Sequence, residues 1–208
     1  IFEAEFTKSF TLRYILFLVP PLYVLAASSF IDLKGKWKYF TILALIIFVI
    51  QTGIFDYYLL TNPVKANFPL RERSGYFQEG TSGIGIKEAA DYIRNKPNED
   101  PSKRIIVGTQ GYFGTLPDGF TMYIQDLPNI VVVGTGLGID KIPQSLVESK
   151  LAGNLTYFIV NKSRLWVDPA KLNLTLIKSF PKEPRFPGTM EYTQSGPQDA
   201  LLFYEVIK

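Results

Sequence analysis

The sequence predicts a membrane-anchored α/β protein. Two transmembrane helices come first, and a small three-layer α/β domain with a mixed, partly parallel sheet of about five strands follows. Two observations lead to this fold class. Apolar runs without charge are concentrated in roughly the first sixty residues, and short β-branched runs alternate with helical patterns in the remainder. The mean hydropathy of +0.10 averages these two different parts.

Two residue types are missing from the chain, and their absence limits its chemistry. The 208 residues contain no Cys and no His. Disulfides, thiol nucleophiles, Cys or His metal sites and His-based acid/base catalysis are therefore excluded, and we expect neither a metal site nor a cofactor. The net charge of +3 is small and mixed in sign, so nucleic acid is not expected as a partner.

The first predicted span covers residues 14–31, which carry no charge and would form about 27 Å of helix. Pro20 and Pro21 predict a kink in this helix, which neighbouring helices would compensate. The second predicted span, residues 39–60, has an apolar centre and ends near Tyr57 and Tyr58, as in an interfacial aromatic belt. We therefore expect a helical hairpin in a membrane domain of residues 1–61.

The loop between the spans, residues 32–38, predicts the orientation. It contains Lys34, Lys36 and Lys38, which by the positive-inside rule place it in the cytoplasm. Both outer ends then face the exterior. We expect an integral protein of the plasma membrane whose C-terminal domain is extracytoplasmic. The charged and aromatic opening, without Met at position 1, indicates a fragment of a longer chain.

The predicted linker, residues 62–85, is rich in Pro, Gly and Ser. The α/β domain is expected at residues 86–208. It opens with an apolar stripe at helical spacing, and residues 143–152 predict a second helix that begins with Pro and ends before Gly153. The stripe consists of Ile86, Ala89, Ala90 and Ile93, and strands are predicted at residues 104–109, 129–134, 156–161, 172–180 and 200–207.

Two kinds of motif in this domain suggest a site but are better explained structurally. A glycine-rich turn follows the second strand, but the dinucleotide fingerprint has two residues between its second and third glycines, and this turn has one. The carboxylates are scattered singly through loops, without metal-ligand or paired spacing, and are expected to be turn and cap residues. The glycines are Gly134, Gly136 and Gly138, and the carboxylates are Asp118, Asp126, Asp140 and Asp168.

The segment that begins at Arg13 and Tyr14 has the pattern Arg-Tyr-x-Leu-x-x-x-Pro. It resembles the outer end of a late membrane helix in polyprenyl-phosphate-sugar-dependent glycosyltransferases, the GT-C-type group that includes protein mannosyltransferases and aminoarabinose transferases. The layout of the rest of the chain is similar to this group as well. A lysine-bearing loop leads to a last span that ends at residues 55–58, and residues 85–93 open an extracytoplasmic α/β domain.

This resemblance implies a parent enzyme that transfers a sugar from a polyprenyl-phosphate carrier to an unknown acceptor on the outer membrane face. Its catalytic acidic residue would lie in an early outer loop, so we expect no catalytic residue in this fragment. The resemblance makes Arg13 and Tyr14 candidates for binding the carrier phosphate, since an arginine fork suits phosphate oxygens. Pairing of Arg13 with Glu3, Glu5 or lipid headgroups is the structural alternative.

The expected partners are therefore the bilayer, the lipid-linked sugar donor, the acceptor and the remaining transmembrane helices of the parent chain. Whether the chain belongs to an enzyme stays open at this point. The alternative function is a non-catalytic, membrane-tethered α/β module that recognises a peptide, a glycan or a protein partner.

Overall fold

The computed structural model describes residues 18–31, 35–96 and 102–207, with the side chains of residues 29–31 left aside. The chain divides into two compact units, Ile1–Glu72 and Arg73–Lys208. The first unit is helical and the second contains the sheet.

Helix α1, Val19–Ile31, and helix α2, Trp37–Thr61, are the main elements of the first unit. Helix α2 has 25 residues, none of them buried, and is long and apolar enough to cross a membrane. Its length follows from the apolar run, which continues for about seven turns without a helix-breaking proline. A 3-10 turn, Pro63–Lys65, and a short helix α3, Leu70–Arg73, follow it.

The structure has one helix long enough for a span among the described residues, where the sequence predicts two. Helix α1 has 13 residues, and part of the predicted first span, residues 14–17, lies outside the described residues. The expected kink stays a prediction, because residues 14–17, which precede the two prolines, lie outside the described residues. Pro20 and Pro21 lie in the first turn of α1, where a proline does not interrupt a helical hydrogen bond.

The second unit contains a five-stranded sheet with the order β2-β1-β3-β5-β4. Strand β1 is parallel to β2 and β3, and β5 is antiparallel to β3 and β4. The predicted mixed, partly parallel sheet is thus confirmed, and each strand begins within two residues of its predicted start. The strands are Ile105–Gln110 (β1), Ile130–Thr135 (β2), Leu155–Asn161 (β3), Leu174–Pro181 (β4) and Ala200–Val206 (β5).

Alternate side chains of β3 enter two separate hydrophobic clusters, as the period of two in a strand requires. Tyr157 and Ile159 belong to the first cluster, and Phe158 and Val160 belong to the second. Burial on both faces explains why β3 has a continuous apolar run rather than alternating polarity.

Helices contribute to both clusters. Helices α4, Ile86–Arg94, and α5, Phe120–Ile124, contribute to the first cluster, and α6, Gln144–Leu151, contributes Leu146 to the second. All four residues of the predicted stripe on α4 are buried. The last helix, α7, is Met190–Ser195, and its N-cap Thr189 accepts a hydrogen bond from the Tyr192 amide.

The α/β unit begins earlier than the sequence predicts. A π-helical turn, Ser74–Gln78, packs into it within the segment expected to be a linker. The Gln78 amide Nε2 donates to the Pro184 carbonyl at 2.7 Å, and the Glu183 amide donates to the Phe77 carbonyl at 3.0 Å. This segment therefore belongs to the folded unit, because Phe77 and Gln78 are hydrogen-bonded to the chain that follows β4.

Candidate functional site

The candidate site lies at one edge of the sheet, where β1, β3 and β4 end and β5 begins. Because β1 and β3 are parallel and β5 is antiparallel to β3, Gln110, Asn161, Lys182 and Asp199 come together at this edge. In open α/β sheets, ligands bind outside the carboxyl ends of the parallel strands, at the point where the strand order reverses. Here that point falls between β1 and β3.

Side chains fill the gap between β1 and β3. The Asn161 amide N–H donates to Gln110 Oε1 at 2.7 Å, and Asn161 Nδ2 donates to the Gly80 carbonyl at 3.3 Å. Any side chain at Gly80 would meet this amide, since a Cβ there would lie 3.3 Å from Asn161 Nδ2. The usual ligand crevice is therefore closed by the chain itself.

Beside this closure lies a buried network of charges. Lys182, Arg185 and Asp199 are at most 2% exposed. Lys182 Nζ donates to the Glu79 carbonyl at 2.7 Å and to Asn161 Oδ1, and it lies 3.8 Å from Asp199 Oδ2. The network thus connects the segment before α4 with the strands β3 and β5.

Each charge in this network has several partners. Asp199 Oδ1 accepts from the Ser163 amide at 2.9 Å and from the Ala200 amide at 2.9 Å, and its Oδ2 accepts from Ser163 Oγ at 2.8 Å. Arg185 Nη1 donates to the Ser195 and Gly196 carbonyls at 2.9 and 3.0 Å. Such satisfied networks compensate for the desolvation of buried charges and hold the chain in one arrangement.

Burial lowers the pKa of Lys182 to about 8, against the opposing effect of Asp199 and Glu79, while the charge of Arg185 adds to the lowering. The ammonium group is still mainly charged at neutral pH. Since Lys182 is fully buried and already has acceptors, it acts as a structural cation in this arrangement.

A groove of about 800 Å³ opens next to the network, over strands β4 and β5. Its floor includes Leu202 and Tyr204, and its walls are the loops that follow β3 and precede β5. Tyr204 is 3% exposed. Its hydroxyl makes no hydrogen bond among the residues that the structure describes.

The residues predicted to bind the carrier phosphate, Arg13 and Tyr14, lie outside the described residues. Of the single carboxylates, three act in turns or on the surface. Asp118 accepts from the Gly114 amide at 2.7 Å, Asp168 caps a 3-10 turn, and Asp126 pairs with Arg94. Within the described ranges no group of three or more potential metal ligands occurs.

Two glycines, Gly134 near the end of β2 and Gly138 after it, allow loops to approach closely. A Cβ at Gly134 would lie 2.6 Å from the Gly111 carbonyl oxygen, and one at Gly138 would lie 2.2 Å from the Trp166 ring. The tight packing of neighbouring loops therefore explains these glycines.

The buried network itself escaped sequence reasoning. Lys182 and Arg185 lie in a charged, proline-rich run that reads as an exposed loop, and Asp199 and Glu79 lie in equally polar surroundings. Only the pairing of these charges across the chain would have indicated the network, and a single sequence does not show which charges pair.

Comparison with protein-family models, curated proteins and solved structures finds no match to this chain. The fold and the site define an α/β protein. Among the described residues, one helix is long and apolar enough to cross a membrane.

Proposed function

We propose that the chain is the C-terminal part of an integral membrane glycosyltransferase. The parent enzyme transfers a sugar from a polyprenyl-phosphate carrier to an acceptor on the extracytoplasmic face. The observation that supports this proposal most is the exposure of α2. None of its 25 residues is buried, although most of them are apolar, and a folded α/β unit follows after residues 62–72. A membrane would cover such a helix.

In this proposal the first span covers residues 14–31, and Arg13 and Tyr14 at its outer end bind the phosphate of the carrier. The α/β unit is extracytoplasmic. We also propose that it has three layers, with α4 and α5 on one face of the sheet and α6 on the other. The separate clusters formed by alternate residues of β3 support this arrangement.

The test uses the full-length parent in its membrane, with a polyprenyl-phosphate sugar as donor. Arg13→Ala should raise the KM for the carrier by about tenfold or more, because a bidentate charge-assisted contact is lost. Arg13→Lys should restore part of the loss. Arg104→Ala, which removes an exposed arginine of the α/β unit, serves as the control. An unchanged KM for the carrier in Arg13→Ala would show that Arg13 does not bind the carrier.

The alternative is a membrane-tethered module whose α/β unit binds a glycan or a peptide without catalysis. The groove over β4 and β5 favours it, because apolar and polar residues line the groove together, as in many ligand sites. The sequence upstream of Ile1 separates the two functions. The enzyme requires further spans and an acidic outer loop there, and the tethered module requires neither.

A further inference from the structure

Large side chains are exposed in the loops that follow the three parallel strands. Tyr112 and Phe113 follow β1, Leu137 follows β2 and Trp166 follows β3, with exposed fractions of 69%, 83%, 62% and 68%. We call these four residues the aromatic edge. Because β1, β2 and β3 are parallel, all three loops leave the sheet at the same edge.

Backbone hydrogen bonds join these loops to one another. The Gly111 amide donates to the Gly136 carbonyl at 3.3 Å, which connects the loops after β1 and β2. The Ile139 amide donates to the Arg164 carbonyl, and the Trp166 amide donates to the Ile139 carbonyl, both at 2.9 Å. Main-chain contacts therefore hold the three loops that carry the aromatic edge together.

Close packing also fixes the position of Trp166. A Cβ at Gly138 would lie 2.2 Å from the indole ring, so the ring rests against the backbone of the loop after β2. One face of the ring is thereby covered while most of the side chain remains exposed. Several large apolar side chains on one rigid surface mark a binding surface more often than chance exposure.

The charges of the three loops nearly cancel, which argues against a partner recognised mainly by charge. Four cations and three carboxylates lie in the loops between these strands and the next helix or strand. Trp, Tyr and aliphatic side chains with little net charge are typical of the headgroup level of a bilayer. The cations are Lys141, Lys162, Arg164 and Lys171, and the carboxylates are Asp118, Asp140 and Asp168.

The covalent chain keeps a bilayer within reach of this surface. Helix α2 ends at Thr61, and the α/β unit begins at Arg73. The intervening residues, 62–72, span at most roughly 35–40 Å when fully extended. If α2 crosses the membrane, this tether keeps the lipid surface within reach of the α/β unit.

We propose that the aromatic edge is a membrane-binding surface, and that Tyr112, Phe113, Leu137 and Trp166 enter the headgroup region of the bilayer that α2 crosses. The ligand is a lipid interface, and neutral phosphatidylcholine is sufficient because the contact is apolar. This proposal requires a membrane-spanning α2 but not glycosyl transfer.

The experiment uses the two tryptophans of the chain, Trp37 and Trp166. Trp37→Phe leaves Trp166 as the only reporter. The variant is reconstituted in phosphatidylcholine vesicles with and without lipids that carry a nitroxide near the headgroup. We expect a blue-shifted Trp166 emission that the nitroxide lowers about twofold or more, since interfacial indoles lie at that depth. Raising the salt concentration should not change the quenching, because screening weakens only electrostatic contacts.

Trp166→Phe leaves Trp37, at the start of α2, as a separate reporter of the span. Quenching of Trp37 without quenching of Trp166 would overturn the membrane-binding surface and leave the span intact. If neither residue is quenched, both proposals fail. A blue-shifted Trp166 emission in native membranes but not in pure lipid vesicles would also overturn the proposal. That result would indicate a protein partner instead.

A triple variant tests whether the whole aromatic edge holds Trp166 in lipid. With Trp37→Phe, the changes Tyr112→Ser, Phe113→Ser and Leu137→Ser should abolish the quenching. Persistent quenching would contradict the proposal. The matched control changes Met122 and Leu151 to Ser, which are 72% and 76% exposed outside the aromatic edge, and it should leave the quenching unchanged. Circular dichroism checks that each variant is folded.

Discussion

Arg185 binds Glu79 through two hydrogen bonds, from Nε to Oε1 at 2.6 Å and from Nη2 to Oε2 at 3.2 Å, although 106 residues separate them. The same guanidinium lies 3.8 Å from Asp199. This pair therefore ties the segment before α4 to the segment after β4. The stability of the α/β unit should depend on the charges at this junction more than on any surface pair.

Asp199→Asn should destabilise the α/β unit by about 3–5 kcal/mol, because it leaves Lys182 and Arg185 with one fewer buried counter-charge. The measurement is urea unfolding of the whole chain in detergent, followed by Trp166 emission in the Trp37→Phe background. Asp126→Asn, which removes an exposed pair with Arg94, should cost less than about 1 kcal/mol. Equal losses in both variants would contradict a special role for the buried network.

The lowered pKa of Lys182, about 8, predicts a pH dependence of stability. The ordinary pKa is 10.5, so between pH 8 and 10.5 the unfolded chain holds a proton that the folded chain has released. The contribution of this residue to the free energy of unfolding should therefore rise with pH across that window. Lys182→Met should remove this rise. The check is the difference in unfolding free energy between parent and variant at about pH 7 and about pH 9.5, and a constant difference would contradict the prediction.

Gly108→Ala should destabilise the unit by about 1–3 kcal/mol through overpacking. A Cβ at Gly108 would lie 2.4 Å from Leu146 Cδ1 and 2.9 Å from Phe158, both fully buried. Gly83→Ala is the matched control, since nothing lies within 4 Å of a Cβ there. Thermal unfolding monitored by circular dichroism compares the two. An unaltered melting temperature for Gly108→Ala would show that α6 can move away from the sheet freely.

Removing the hydroxyl of Tyr157 should lower the free energy of unfolding, whereas removing the hydroxyl of Tyr204 should leave it nearly unchanged. Lys96 Nζ donates to the Tyr157 hydroxyl, so Tyr157→Phe should cost about 1 kcal/mol. Tyr204 has no such partner among the described residues, and Tyr204→Phe should change stability by less than about 0.5 kcal/mol. Urea titration of both variants measures the free energy of unfolding. A larger loss of stability in Tyr204→Phe than in Tyr157→Phe would contradict the prediction.

Much of the sheet could be predicted because its strands are short, β-branched and bounded by turn residues. Strand β3 is buried on both faces, so its apolar run stands out from the flanking polar sequence. The stripe on α4 was equally clear, because a hydrophobic period near 3.6 is typical of a helix with one buried face. Helix α5, Phe120–Ile124, was missed, since five residues are too few to show a period.

The buried network was not predictable from local pattern. Lys182 is buried because β4, β5 and the segment before α4 close around it, and no neighbouring residue in the sequence indicates that closure. For the same reason, residues 73–85 appeared to be a linker. Their composition suits a flexible segment, but Gln78 binds a carbonyl 106 residues away. The predicted roles of Arg13 and Tyr14 stay predictions, because these residues lie outside the described part.

The position of β5 inside the sheet has a consequence for synthesis. Strand β4 pairs with β5 alone, and β3 meets the antiparallel half of the sheet only through β5. During translation, the edges of β3 and β4 that pair with β5 therefore stay unpaired until residues 200–206 have left the ribosome. A nascent chain stalled after Pro181 would expose both of these strand edges, and exposed strand edges promote aggregation.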